Sequence, residues 1–299
     1  LQDAGGRRQP CQVLVEVVAT SMNLSDWECL VGRPAYARIG GLRRPARPVL
    51  GSDVAGRVAA VGPGVTRFSQ GDEVYGDNLG LKGGFAQFAV APASVLAPKP
   101  GSLTFAQAST LPQAGPIALQ GTAGVGPGSR VAVNGAGGGS GSLAVQLAKA
   151  AGAHVTAVDN AGKLDFLRSL GADAVVDHRV EDVTRLGPFD LVLDLVAHRS
   201  VRDYRRALAP GGRYLAVGGS VSTMLSLLTA GTVLGRVSGR RLGVLAVKPG
   251  PDHFIPLEAR CASGEVRIHI DREVSLDEVP EALASVGEGR VLGKVVVTP

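Results

Sequence analysis

Residues 131–152 read VAVNGAGGGSGSLAVQLAKAAG, and the fold turns on this stretch. A short apolar run, Val131-Ala132-Val133, stops at Asn134. Five glycines follow within the seven residues 135–141, and apolar residues then recur at Leu143, Ala144, Leu147, Ala148 and Ala151. That recurrence is helical, so the segment reads as strand, glycine turn and helix. Within it, Ala136-x-Gly138-x-x-Gly141 fits a dinucleotide fingerprint with alanine in the first glycine position. Small residues let the backbone turn sharply and approach a pyrophosphate, whose charge the helix N-terminus favours. A bare glycine pattern is weak evidence. Here a strand precedes it, a helix follows, and Asp159 ends the next strand about 20 residues on, which is the context the motif needs. The expected cofactor contacts of this turn are Asn134, Gly135, Ala136, Gly138, Gly139 and Ser140. The alternative is a glycine-rich turn that binds nothing.

Outward from the turn, strands and helices alternate. Strand candidates are residues 130–134, 154–159, 174–177, 190–194, 213–217 and 241–247, with helices at 139–151, 162–170, 200–208 and 221–228. Six strands joined by crossover helices predict a parallel, doubly wound sheet in the Rossmann order. Upstream, residues 12–20 alternate like a strand. Short β-type runs between Gly and Pro breaks then fill residues 54–96, the pattern of a small twisted β-rich domain. Downstream come helices at 252–263 and 276–286 and a strand at 293–297. This tail is expected to return to the β-rich domain. The expected division is residues 1–112 with 257–299, and residues 113–256 as the nucleotide domain.

Composition narrows the class. Hydrophobic residues make up 45% of the 299 and charged residues 19%, an ordinary globular balance. No uninterrupted apolar run approaches the about 20 residues that span a bilayer, so no membrane partner is expected. The net charge of +5 is spread over scattered arginines with little aromatic interleaving, which argues against a nucleic-acid groove. Three widely spaced cysteines, Cys11, Cys29 and Cys261, give no disulfide framework, and a reduced cytoplasm is the expected location.

Several stretches together carry a family resemblance: NLSDWECLVG, VLGSDVAGRVAAVGPGVTRFSQGDEVYG, NGAGGGSGSLAVQLAKAAGAHVT, SLGADAVVD, FDLVLDLVAHRS and EGRVLGKVVV. Over essentially its whole length the chain resembles the zinc-independent, quinone-oxidoreductase-like branch of the medium-chain dehydrogenase/reductases. The resemblance implies a GroES-like β domain around an inserted Rossmann domain, with the active site in the cleft between them. It also implies hydride transfer from NAD(P)H to a quinone or an electron-poor C=C bond. An enoyl reductase or a zinc-free alcohol dehydrogenase of a biosynthetic pathway stays open, as does a nucleotide-binding sensor or structural protein of low turnover. Zinc-dependent relatives place a Cys and a His-Glu pair where this chain has Asn23 and Ser52-Asp53. Asn and Ser are poor zinc ligands and one Asp cannot hold the ion alone, so no metal is expected.

The remaining site residues follow from the same resemblance. Tyr36 is the candidate proton donor, displaced by about two positions from the family tyrosine, and a loop tyrosine that only covers the cleft is the alternative. Asn23 resembles the asparagine near the nicotinamide ribose, and Trp27 is a candidate wall of the substrate pocket or a packing residue. Val196 and Gly218 are taken with the cofactor set. On cofactor choice the sequence conflicts with itself. Asp159 would accept the ribose diol of NADH and repel a 2′-phosphate, whereas Asn160, Lys163 and His178 could surround that phosphate. The family leans to NADPH, with NADH as the alternative. A small-molecule electrophile is the expected substrate. A homodimer joined through residues 241–247 is the expected assembly.

Overall fold

The computed structural model describes residues 11–38, 41 and 47–299. The chain begins with β1 (Gln12–Ser21), α1 (Leu24–Val31), β2 (Asp53–Val61), β3 (Glu73–Asp77), β4 (Phe88–Pro92) and β5 (Leu96–Pro98). Helices α2 (Phe105–Ser109) and α3 (Ala114–Gly121) lead into β6 (Arg130–Asn134), α4 (Gly139–Ala150), β7 (His154–Asp159), α5 (Leu164–Ser169) and β8 (Ala174–Asp177). Then come β9 (Phe189–Asp194), α6 (Val201–Ala207), β10 (Leu208–Ala216), α7 (Val221–Ser226), α8 (Thr232–Val237) and β11 (Arg241–Val244). The chain ends in α9 (Pro256–Ala262), β12 (Ile270–Ser275), α10 (Val279–Gly287) and β13 (Lys294–Thr298).

Two compact units form. The first runs to Pro116 and resumes at Lys248–Gly264 and Ile268–Pro299, and the second is Ile117–Val247 with Glu265–Arg267. The second passage therefore falls at 247/248, against 256/257 in the sequence reading. Local packing accounts for it: Phe254 meets the Tyr75 ring edge-on, and Leu257 fills the space beside Gly115, both within the first unit.

The second unit holds a six-stranded sheet in the order β11-β10-β9-β6-β7-β8, every neighbour parallel. This is the Rossmann order, with its switch point between β6 and β9. Central strands of such a sheet are covered on both faces, which explains the near-continuous apolar runs of β6 and β9. The core gathers Val158, Val192, Phe189, Leu208 and Leu227, with Tyr204 and Tyr214 stacked at 3.9 Å between centroids.

The first unit is a seven-stranded sheet in the order β12-β13-β1-β2-β3-β5, with β4 also on β1. β1 organises it by serving three partners: β2 along most of its length, β4 over its first half and β13 at Thr20 and Ser21. Val13, Val15 and Val17 point inward while Glu16 faces out, the period-two pattern of a half-buried strand. A second cluster, Met22, Leu50, Leu283, Val291, Val295 and Val297, packs beneath α10.

Five elements differ from the sequence reading, β10 among them, which begins at Leu208 and not at 213. β11 stops at Val244, although the Leu245 amide still bonds the Ala216 carbonyl at 2.8 Å. The helix expected at 221–228 continues through a π-type turn at Leu227–Gly231 into α8. The helix expected at 252–263 splits into a 3₁₀ turn at Pro251–His253 and α9, because Pro256 has no N–H for a continuous ladder. β12 went unseen since Asp271-Arg272-Glu273 interrupts it and only Val274 is buried, as suits a strand paired to β13 alone.

Gly141 marks the tightest approach in the second unit. A Cβ there would overlap the Gly135 carbonyl oxygen and come within 2.7 Å of Ala136 Cα. Both obstacles are backbone, so neither can swing aside. Gly141→Ala should therefore lose about 1–3 kcal/mol of stability by overpacking, read as a lower urea midpoint with an unchanged slope.

Candidate functional site

The glycine turn sits at the C-terminal end of β6, beside the switch point. β6 ends because Gly135 turns left-handed, at φ 79°, a conformation glycine adopts without cost. The amides of Gly135 and Ala136 both donate to the Val158 carbonyl, at 3.0 and 3.1 Å, and so pin the turn to β7. α4 then starts at Gly139. Its first-turn amides, Gly139 and Ser140 among them, have no intrahelical acceptor by construction and carry the positive end of the helix dipole. Gly138 is extended, at φ −86°, and a Cβ there meets nothing nearer than the Gly135 oxygen at 3.6 Å. Glycine at 138 is thus not required by backbone strain. The space it leaves open is available to a ligand, and a pyrophosphate fits such a cradle.

Asp159, at the end of β7, is occupied by the protein itself. Its Oδ2 accepts the Gly137 amide at 2.8 Å. Its Oδ1 accepts the Asn160 amide at 2.9 Å and the Asn160 side-chain Nδ2 at 3.1 Å, and the Lys163 Nζ lies 3.5 Å away. Lys163 is buried by this pairing, and its stem crosses the turn so closely that a Cβ on Gly137 would meet Lys163 Cδ at 2.5 Å. His178 is exposed just past β8, its amide bonded to the Asp159 carbonyl at 3.0 Å. The structure thus brings Asp159, Asn160 and Lys163 together with the turn, and sets His178 one strand over.

Asp194, at the end of β9, was not singled out as a site residue. It is fully buried, and it accepts the Asn134 side-chain amide at 2.8 Å, the Val196 amide at 3.2 Å and the Tyr214 hydroxyl at 2.9 Å. It thereby fixes two of the expected cofactor residues across the switch point. Burial and that carboxylate push the Tyr214 hydroxyl far above its ordinary range. Gly218 follows β10, and a Cβ there would touch the Leu195 carbonyl oxygen at 3.5 Å, an ordinary contact.

In the first unit, Asn23 stands at the centre of a buried polar network. Its Nδ2 donates to Asp53 Oδ2 at 2.8 Å and to Ser52 Oγ at 3.3 Å, and its Oδ1 accepts the Lys294 ammonium at 2.6 Å. Asp53 also takes Ser21 Oγ at 2.8 Å, the Gln113 amide at 3.0 Å and Lys294 at 3.3 Å. Asp26 Oδ2 accepts the Asn23 amide at 3.0 Å, while its Oδ1 accepts Gly51 N at 3.2 Å and Lys82 Nζ at 3.1 Å. Lys82 and Lys294 lie 56 and 271 residues from the side chains they hold. No local pattern in the sequence could reveal them. Tyr36 lies on a short turn, partly exposed, and its hydroxyl bonds Glu28 on α1, whose carboxyl burial pushes up. Trp27 is seated against Gly287 of α10 and the second apolar cluster. Neither side chain joins the Asn23 network.

Comparison with known proteins names the architecture. Residues 9–101 match the alcohol dehydrogenase GroES-like domain and residues 170–297 the zinc-binding dehydrogenase family. A chloroplast envelope quinone oxidoreductase homolog of Arabidopsis thaliana is 32% identical over 96% of this chain and 90% of its own length. The chain belongs to the medium-chain dehydrogenase/reductase family. Within that family, 2-methylene-furan-3-one reductase of Solanum lycopersicum is 34% identical over 96% of this chain and 72% of the relative. The solved quinone oxidoreductase from Coxiella burnetii covers 97% of this chain and 90% of that one, with a TM-score of 0.85 at 28% identity. These relatives place this dehydrogenase/reductase in the quinone-oxidoreductase-like branch.

A zinc ion does not fit the residues present. Among the described residues no group of three or more His, Cys, Asp and Glu is arranged to hold a metal. At the places of the zinc ligands stand an amide, a hydroxyl and one carboxylate, and the Lys294 ammonium already occupies the amide oxygen and the carboxylate. That donor set lacks the three ligands zinc requires.

The network holds one carboxylate more than it has ammonium groups. Asp77 lies opposite Asp53 in the β2–β3 register, is buried, and its Oδ1 has no partner. Burial first, then the neighbouring carboxylates Asp53 and Asp26, raise its pKa to about 7, against a weaker opposing pull from the Leu79 amide and Lys82. A carboxyl raised in the folded state stabilises fully below its unfolded pKa of about 4, and that contribution is lost as pH rises through about 7. The loss is at most about 1.4 kcal/mol per pH unit. Thermal melts from pH 4.5 to 8 should therefore show stability falling more steeply for the parent than for Asp77→Asn. Parallel pH dependences would mean that Asp77 is ionised throughout.

Proposed function

We propose that this protein is an NAD(P)H-dependent reductase that delivers hydride to a quinone or an α,β-unsaturated carbonyl without a metal. The observation that carries the reading is the open cradle at Gly138, set at the switch point of a Rossmann sheet between left-handed Gly135 and the start of α4. Quinone and enone reductases among the relatives support the substrate class. A bound reduced nicotinamide supplies the hydride. The chain's own residues bind and orient: the first amides of α4 would hold the pyrophosphate, and Asn134 and Val196 are held in place by Asp194. Asn23 and Tyr36 remain the proposed catalytic residues, on the strength of the family resemblance.

NADPH is the proposed preference over NADH. A ribose-reading Asp offers acceptor sites to the diol, and donors from the protein compete for them. Here both Asp159 oxygens already accept backbone and side-chain donors, and Lys163 offsets the charge that would repel a 2′-phosphate. A homodimer is the proposed assembly. β11 is an edge strand, and Leu225 on α7, Leu228 on the π-type turn, and Val233 and Val237 on α8 are exposed. An open edge beside exposed apolar side chains suits a two-fold partner. The free cysteines are the sole support for a cytoplasmic location; no helix among the described residues is long and apolar enough to cross a membrane.

Steady oxidation of NADPH or NADH with a panel of small quinones and enones tests the reaction, and absence of turnover with every acceptor would reject it. Light scattering at micromolar concentration tests the dimer, and a monomer would end that part. The sharpest test is Gly138→Val. Losing three backbone hydrogen bonds to a charged phosphate, at roughly 1.5–3 kcal/mol each, should weaken cofactor binding at least about a thousandfold. Its melting curve should stay near the parent's, since the position is extended and its Cβ meets nothing close. Calorimetric titration with both cofactors decides it, and a folded variant that binds like the parent would reduce the turn to a turn.

A further inference from the structure

Lys82 adopts a backbone conformation that its residue type disfavours. It is one of two described non-glycine residues with positive φ, at 55°, and it lies in the loop after β3. Such a turn would ordinarily carry glycine or asparagine on an exposed loop. Here the lysine is buried, its amide donates to the Asn78 carbonyl at 2.6 Å, and its own carbonyl accepts Asn78 Nδ2 at 2.6 Å. Those two bonds hold the turn so that the side chain runs inward. The ammonium ends on Asp26 Oδ1, and Asp26 is fully buried.

Asp26 is the link to the site. One oxygen holds the Asn23 amide, and the other holds the Gly51 amide beside Lys82. The two backbones it joins are those that present the Asn23 side chain and the Ser52-Asp53 pair. Both sides of the Asn23 network therefore hang on one carboxylate whose charge Lys82 offsets. Without that ammonium, Asp26 would be a buried charge near Asp53 and Asp77, and breaking such a pair is strongly unfavourable.

We infer that Lys82 is a positioning residue of the reductase: through Asp26 its ammonium fixes the Asn23 and Gly51 backbones, and with them the Asn23 amide. The role rests on the proposed reaction, in which Asn23 acts. It would leave the nucleotide turn untouched, because no member of that turn belongs to this network.

The test uses the full chain with Lys82→Met, Lys82→Gly, Asp26→Asn and the double variant Lys82→Met with Asp26→Asn. Lys82→Gly removes the ammonium while suiting the left-handed turn, so it keeps the test alive if Lys82→Met does not fold. Either Lys82 variant should lower kcat for a quinone at least about tenfold, with NADPH affinity by fluorescence titration unchanged. Hydrogen exchange should quicken at the amides of Asn23 and Gly51. The double variant should lose no more than Lys82→Met alone, since both changes act on one contact. Folded Lys82 variants with parental kcat and parental protection would overturn the inference, as would losses that multiply in the double variant. If the parent itself turns over no acceptor, the proposed reaction fails while the exchange measurement still judges the role of Lys82.

Discussion

The second unit depends on one close contact, the approach of α4 to the backbone of residues 135 and 136 at Gly141. Because no side chain intervenes, the helix can begin directly over the end of β6 and aim its first amides at the switch point. Asp194 secures the opposite side of that point. It ties Asn134 on β6 to Val196 beyond β9 and to Tyr214 on β10, so three neighbouring chain segments are registered by one buried carboxylate. Such a carboxylate is tolerable in the core because several donors meet it. The turn is therefore held by protein contacts alone.

Asp159 illustrates how the same residue type can serve opposite ends. An aspartate at the end of the second strand of this sheet commonly reads a ribose, and its charge then selects against a 2′-phosphate. Here the carboxylate closes the glycine turn by taking the Gly137 amide, and Lys163 folds over it. Gly137 is needed for that lysine to lie so close, which gives the second glycine of the run a structural task separate from cofactor contact. The acid thus takes three hydrogen bonds from the protein beside the Lys163 ammonium.

The first unit solves a different electrostatic problem. Asp26, Asp53 and Asp77 are buried together with Lys82 and Lys294, which leaves one carboxylate without an ammonium. Where zinc-dependent relatives would gather a metal, this chain gathers amide, hydroxyl, carboxylate and ammonium into a closed set of hydrogen bonds. The surplus charge favours a proton on Asp77, whose carboxyl is raised to about 7 by burial and by Asp53 across the strand pair. Buried charge sets of this kind are poor sources of stability but strong constraints on geometry, since each member is costly to displace.

The sequence by itself determined the Rossmann order, the β-rich partner unit, the glycine turn and the position of Asp159, because periodicity and glycine spacing are local signals. It also put Asn23, Ser52 and Asp53 at one site through the resemblance of their motifs. Only the tertiary structure decided what those residues do for one another. Lys294 reaches Asn23 across 271 positions and Lys82 reaches Asp26 across 56, so neither partner leaves a trace in local pattern. Whether Lys163 folds back over Asp159 or stands out in water was likewise undecidable from spacing, and the two lie 3.5 Å apart. β12 stayed hidden because an edge strand needs only one buried side chain, and α9 joined the first unit because Phe254 and Leu257 find Tyr75 and Gly115 there. Local preference names the elements; burial and hydrogen-bond saturation, which exist only once the chain has closed on itself, assign their partners.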